Sequence, residues 1–108
     1  MATFTPKILA QGQLSAVAGD IYSVPAATAT LIVKVALVNT SVSSRTVNLY
    51  VKTGGGTGRK IIPSNLVLAS GYMLETDEYY TLSATEAIQG DADVVSAIDF
   101  SIHGVEQT

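Results

Sequence analysis

Between Thr28 and Lys52 the sequence TATLIVKVALVNTSVSSRTVNLYVK places apolar residues at every second position, once on each side of a polar link. Side chains on an extended strand point alternately to opposite faces, so such a stretch collects one greasy face. From Leu31 that face holds Leu31, Val33, Val35 and Leu37, and beyond the link it holds Val47, Leu49 and Val51. The opposite face is mixed, with Ile32, Lys34, Ala36 and Val38 on the first arm and Thr46, Asn48, Tyr50 and Lys52 on the second. The link Asn39–Ser44 is rich in side chains that bond their own backbone and favour turns. The pattern predicts a central antiparallel hairpin whose apolar face needs a second sheet to cover it.

The rest of the chain is punctuated at strand-length intervals. Lys7 to Leu14 suits an edge strand with Pro6 as its boundary, and Gly19-Asp20 signals a turn. Ile21–Val24 is a short strand stopped by Pro25, which has no N–H to give to a ladder. Arg59–Ile62 and Leu66–Ala69 flank Pro63-Ser-Asn65, and Tyr72–Thr76 and Glu78–Ser83 flank Thr76-Asp77. Gly90-Asp91 predicts a turn, followed by a last strand from Asp93 to Val105. In that strand Val94, Ile98, Phe100 and Ile102 face inward with Ser96, while Val95, Ala97, Asp99, Ser101 and His103 face out. No 3.6-residue stripe exceeds a turn or two, and no internal repeat is present. Seven or eight short strands predict an all-β antiparallel sandwich, jelly-roll or immunoglobulin-like, formed by residues 1–108 as one domain.

Hydrophobic residues make up 47% of the 108 residues and charged residues only 14%. That balance excludes a disordered chain, which needs low hydrophobicity and high charge. It also leaves an outer surface of Ala, Ser, Thr, Val and Gly, which suits either a bland Ser/Thr-rich sandwich or a surface covered by other copies or a partner. Residues 1–60 hold all six cations and one acid, net +5, while residues 61–108 hold eight acids and no cation, net −8. If the strands keep these halves apart, copies can pack a basic face against an acidic one. No Lys/Arg cluster is dense enough to grip phosphates, which argues against nucleic acid as a partner. With no cysteine, neither a disulfide nor a thiolate metal site holds the fold. The opening MATFTPKILAQGQLSAVAG lacks the basic-then-apolar order of a signal peptide. No apolar run approaches the ~20 residues of a membrane helix.

Little in the sequence points to chemistry. His103, Ser101 and Asp99 are the three residue types of a hydrolase triad, but they alternate along one strand. At ~3.3 Å per residue, Asp99 and His103 lie roughly 13 Å apart, too far for hydrogen-bond contact. Asp91 and Asp93, with Glu86 or Asp77, offer oxygen ligands for calcium but without EF-hand spacing. The loop Thr53–Gly58 is glycine-rich, yet the residues after it, Arg59-Lys60-Ile61, lack the Lys-Ser/Thr of a phosphate-binding loop and its helix. Tyr79 and Tyr80 are candidate sugar-stacking rings, one of them expected in the core. Glu75–Glu78 reads as a solvated corner. No catalytic, cofactor-binding or metal-binding residue is singled out.

Taken in order, MATFTPKILAQGQL, IYSVPA at Ile21–Ala26, VALVNTSVSSRTVNLYV at Val35–Val51, IIPSNLVLASGYMLE at Ile61–Glu75 and FSIHGVEQ at Phe100–Gln107 resemble the small β-sandwich virion proteins of tailed bacteriophages. The resemblance spans nearly the whole chain and rests on structural motifs. It implies a non-enzymatic virion component, most simply an oligomeric head decoration (cement) protein bound to the major capsid protein, with no cofactor. A tail, baseplate or fibre-associated module that binds other virion proteins, or host-surface carbohydrate through loop tips such as Thr53–Gly58, is the alternative. A carboxylate-based hydrolase ranks last. The implied location is the virion, assembled in the host cytoplasm.

Overall fold

The computed structural model describes residues 2–54, 56–76 and 78–108. Gly55 of the glycine-rich loop and Asp77, a candidate calcium ligand, therefore lie outside the described residues. Ten strands are present among them: β1 (Phe4–Gln13), β2 (Gly19–Ser23), β3 (Ala29–Asn39), β4 (Arg45–Lys52), β5 (Arg59–Lys60), β6 (Leu66–Leu68), β7 (Met73–Glu75), β8 (Tyr80–Leu82), β9 (Ala87–Ala92) and β10 (Ile98–Gln107). They form two antiparallel sheets packed as a sandwich. Sheet A runs β1-β10-β3, and β7 and β8 share the far side of β3. Sheet B runs β2-β9-β4, and β5 and β6 share the far side of β4.

The predicted hairpin does not form. β3 and β4 sit in different sheets, so the Asn39–Ser44 link is a crossover between layers rather than a hairpin turn. The alternation was correct for the burial of Val35, Leu37, Val47 and Leu49 but cannot tell whether two greasy faces pair edge to edge or stack. Stacking buries both. Asn39, a turn residue by composition, is fully buried and plugs the crossover. Its amide donates to Ser43 O and Leu68 O, both at 2.8 Å, and its carbonyl oxygen accepts from Ser41 N and Ser41 Oγ.

The inward face of β3 also changes along its length. Ile32 is buried while Leu31 and Val33 are only half-buried, the reverse of the expectation. The cause is a β-bulge: His103 pairs with Lys34 and Gly104 with Ile32, leaving Val33 unmatched. One extra residue shifts the dyad, so the faces swap across it. A second bulge at Leu9 of β1 flanks the same part of β10.

Other boundaries move for related reasons. Pro6 lies inside β1, which an edge strand tolerates because its N–H side faces no neighbour. Gly90 and Asp91 are not a turn but part of β9, with Gly90 opposite Leu49. A Cβ on Gly90 would stand 3.0 Å from Leu14 Cδ2 and 3.3 Å from Leu49 Cδ2, so core packing selects the glycine. The last strand begins at Ile98 rather than Asp93. Ala97 is buried and Ser96 is exposed, with Ser96 in a left-handed turn at φ 60°.

The core joins Leu14, Ile32, Leu37, Leu49, Ile98 and Ile102 with their neighbours. Truncating any one of these to alanine removes about 2–5 kcal/mol. One polar tie also crosses the sandwich. The hydroxyl of Tyr22 on β2 lies 2.8 Å from Thr30 Oγ1 on β3 and donates to Glu106 Oε2 on β10 at 2.8 Å; Lys7 Nζ reaches Glu106 Oε1 at 3.2 Å. The Tyr22 hydrogen bond and Lys7 hold the Glu106 carboxyl below its ordinary value of 4.5. A carboxyl depressed by folding adds stability above its unfolded pKa and loses it as pH falls through the folded value. Tyr22→Phe is expected to cost about 2 kcal/mol at neutral pH. It should also flatten the stability-against-pH curve below pH 4.5. Urea unfolding at several pH values measures both; an unchanged acid slope would remove Glu106 from this role.

Candidate interaction surfaces

Each described residue weighed for chemistry has a definite place. Asp99, Ser101 and His103 lie on the outer face of sheet A. Two positions apart on one face, Ser101 and His103 meet, with His103 Nε2 3.2 Å from Ser101 Oγ. Asp99 instead accepts from Gln13 Nε2 at 3.1 Å. Across the strands His103 faces Ile8 and Lys34, neither of which supplies an orienting carboxylate. The pair lacks the third member that a triad needs. Beside it lies an open depression of about 430 Å³ lined by Gln11, Gln13, Ala36, Val38, Asp99 and Ser101.

The described calcium candidates, Asp91, Asp93 and Glu86, take separate partners. Asp91 accepts from Asn48 Nδ2 at 2.9 Å and from the Tyr50 hydroxyl at 2.7 Å. Asp93 sits 3.7 Å from Arg45 Nη1, and Glu86 accepts from Ser83 N at 2.7 Å. Among the described residues no three His, Cys, Asp or Glu side chains are placed to share an ion. Tyr79 is exposed, whereas Tyr80 is half-buried against the core, so the two rings split as their adjacent positions predict. Gly56 N donates to Thr53 O at 2.9 Å, making a turn of the glycine-rich segment.

A polar cluster on the outside of sheet B was not foreseen beyond the mixed character of that face. Asn48, itself buried, takes Lys60 Nζ at 3.0 Å and Asn65 N at 2.9 Å on its carbonyl oxygen. Lys60 Nζ also lies 5.2 Å from the centre of the Tyr50 ring, a cation–π contact. The hydrogen bond to Asp91, with burial, pushes the Tyr50 phenol up to about 12. These groups use one another as partners, which fixes β4 to β5, β6 and β9.

The two halves of opposite charge are interleaved rather than segregated. Lys7–Glu106 (3.2 Å), Lys34–Glu75 (3.2 Å) and Arg45–Asp93 (3.7 Å) each join a basic-half residue to an acidic-half one. Among the described residues these three pairs tie the basic half to the acidic half. What the surface does show is apolar: Val17, Val42, Tyr72 and Val95 are 62–95% exposed, in four different loops at one end of the sandwich. On the outer face of sheet A toward the other end lies a groove of about 290 Å³, walled by Phe4, Ala29, Leu31, Leu82 and Val105.

Backbone comparison finds the same architecture in chains of solved structures. A chain from the disulfide-linked pili of Bacillus endospore appendages matches with a TM-score of 0.59 at 15% identity, covering 100% of this chain and 90% of that one. A chain from the acid-stable capsid of Helicobacter pylori bacteriophage KHP30 matches with a TM-score of 0.52 at 13% identity, over 100% and 94%. A chain from the T13 particle of IBDV matches with a TM-score of 0.53 at 13% identity, covering 99% of this chain but 30% of that one. At these identities the likeness is one of fold, which is jelly-roll-like. No family model and no curated protein matches the sequence.

Proposed function

We propose that this chain is a non-enzymatic structural subunit that works by assembling, specifically a decoration protein of a bacteriophage head. The observation that carries this reading is one end of the sandwich, where four connecting loops each expose an apolar side chain, Val17, Val42, Tyr72 and Val95. Gathered at one end, they offer a partner an uncharged surface to cover. The KHP30 capsid match supports the virion setting. In that setting the subunit lies on the major capsid protein, in a particle assembled in the host cytoplasm. Repetition over a lattice turns modest contacts into firm attachment and braces the shell.

The pilus match favours a second reading, a subunit of a filament, and it covers nearly all of both chains. A filament of this chain would have to hold together without disulfides, since these 108 residues contain no cysteine. Density-gradient sedimentation followed by electron microscopy separates the readings. A decoration protein is expected in the particle fraction at regular positions on heads, a filament subunit in fibres. A monomer at every concentration, absent from both fractions, would defeat the proposal.

A further inference from the structure

Among the described residues the two sheets present four open sides, and three of them are short or broken. β7 and β8, three residues each, share one side of sheet A; β5 and β6, of two and three residues, share one side of sheet B. β2, of five residues, is irregular at Ile21. β1 runs for ten residues along the remaining side, with no strand beyond it. Natural sheets usually break or charge an edge of that length, because its free N–H and C=O groups are a template for another strand. From Ile8 to Ala18 the sequence ILAQGQLSAVA contains no charged residue.

The ladder fixes which groups are free. Leu14 N donates to Ile98 O at 2.9 Å, Gly12 stands opposite Phe100 and Ala10 opposite Ile102. Hydrogen-bonded and non-bonded pairs alternate in an antiparallel ladder, so Ala10, Gly12 and Leu14 direct their backbone groups to β10. Gln11 and Gln13 turn both N–H and C=O to the open side. This clean stretch is bounded at each end. Upstream, the bulge at Leu9 and Pro6, which has no N–H, break the edge. Downstream, Ser15 O accepts from Ala92 N of sheet B at 2.9 Å.

Gln11-Gly12-Gln13 reads the same in both directions. A second copy rotated about a two-fold axis at Gly12 therefore sets Gln13 opposite Gln11 twice over, closing four backbone hydrogen bonds. A register centred on Gln11 would run into the Leu9 bulge instead. On the axis Gly12 meets its own copy in a non-hydrogen-bonded pair, where side chains crowd most, and neither residue has one. Ile8 and Val17, both exposed, flank the stretch at its two ends, so antiparallel pairing brings the apolar flank of one copy toward that of the other. The carboxylate beside the stretch, Asp99, already accepts from Gln13 Nε2 at 3.1 Å. Across the axis two Asp99 residues would lie three strand spacings apart, roughly 14 Å at ~4.8 Å each, beyond the ~10 Å screening length of dilute salt.

We infer that β1 is a self-pairing edge: two copies of this chain join antiparallel along Gln11–Gln13 and merge their A sheets into one. This rests on the structural-subunit reading and gives it a contact made through the backbone rather than through the loop end.

The cysteine-free background allows a direct test. Gln11→Cys protein is mixed with Gln13→Cys protein under mild oxidation, with Thr81→Cys on the other side of sheet A as an off-site control; all three positions are exposed. The mixed disulfide dimer is expected to form faster than either protein links to itself or to the control. A Gln11→Cys, Gln13→Cys double variant is expected to stop at a covalent dimer, because a two-fold contact is closed. Gln11→Pro removes an N–H that β10 does not use. Its association in sedimentation is expected to need at least about tenfold higher concentration, with a urea midpoint near that of wild type. Should that variant fail to fold, Gln11→Lys, Gln13→Lys sets like charges opposite each other on the exposed edge and is expected to give the same loss. No mixed dimer above control, fastest linking of Gln11→Cys to itself, or a multimer ladder from the double variant overturns the pairing. Wild-type protein that stays monomeric in solution yet sits on particles or in fibres overturns the self-contact and leaves the structural-subunit reading standing. A monomer absent from both removes both.

Discussion

Gly104→Ala is expected to cost about 3 kcal/mol or more, lowering the melting temperature by roughly 12 °C for a domain of this size. The site is the inner side of the β3 bulge, where β10 passes against Leu31 and Leu9. A Cβ at position 104 would overlap the Leu31 carbonyl oxygen and approach Leu9 Cδ1 to 2.9 Å. Leu9 can move a little, but the Leu31 backbone is held between β10 and β8 and cannot. Relief requires either opening the β3–β10 ladder or shifting its register. A register shift would reverse the faces of β3 and expose Val35 and Leu37. Gly12→Ala is the matched control on the neighbouring strand, since its Cβ would meet only the Phe100 ring at 3.2 Å. Urea unfolding of the two variants side by side checks the claim. Equal, small losses at both positions would show that the bulge has room that the geometry denies.

The second large effect is expected at Asn39. Asn39→Ala removes four hydrogen bonds at once and takes the amide donor from Leu68 O at the buried end of the crossover, while Ser43 O keeps the Ser41 hydroxyl at 2.9 Å. Each such bond has a modest net value, but buried groups left unpaired cost about 1–3 kcal/mol apiece. A loss of about 3 kcal/mol follows, and its signature is local. Hydrogen exchange should accelerate in residues 40–44 and 69–72, because Asn39 ties these loops together. Val47→Ala, a plain core truncation in β4 just beyond the crossover, should lower stability without that local pattern. If both variants loosen the same amides equally, Asn39 is only filler. The loops in question carry Val42 and Tyr72, so the Asn39 variant should also weaken assembly beyond its effect on folding.

How far the sequence reaches is clearest along β3 and β4. Dyad alternation by itself determined that this is an all-β chain with two greasy-faced arms, because a period of two has no other economical burial. Composition by itself determined that the outside is poor in ions. Neither could place the arms in separate sheets, since edge pairing and face stacking bury the same side chains. Neither could locate the bulge at Val33, which depends on an unmatched residue 71 positions away from Gly104 in sequence. The charge halves, plain in the sequence, were interleaved by long-range ladders such as β1–β10, which bring Lys7 to Glu106. The clustering of Val17, Val42, Tyr72 and Val95 was likewise a decision of tertiary structure. Each is a single exposed apolar residue in its own turn. Only the sandwich, by ending four connections at one end, makes them a surface.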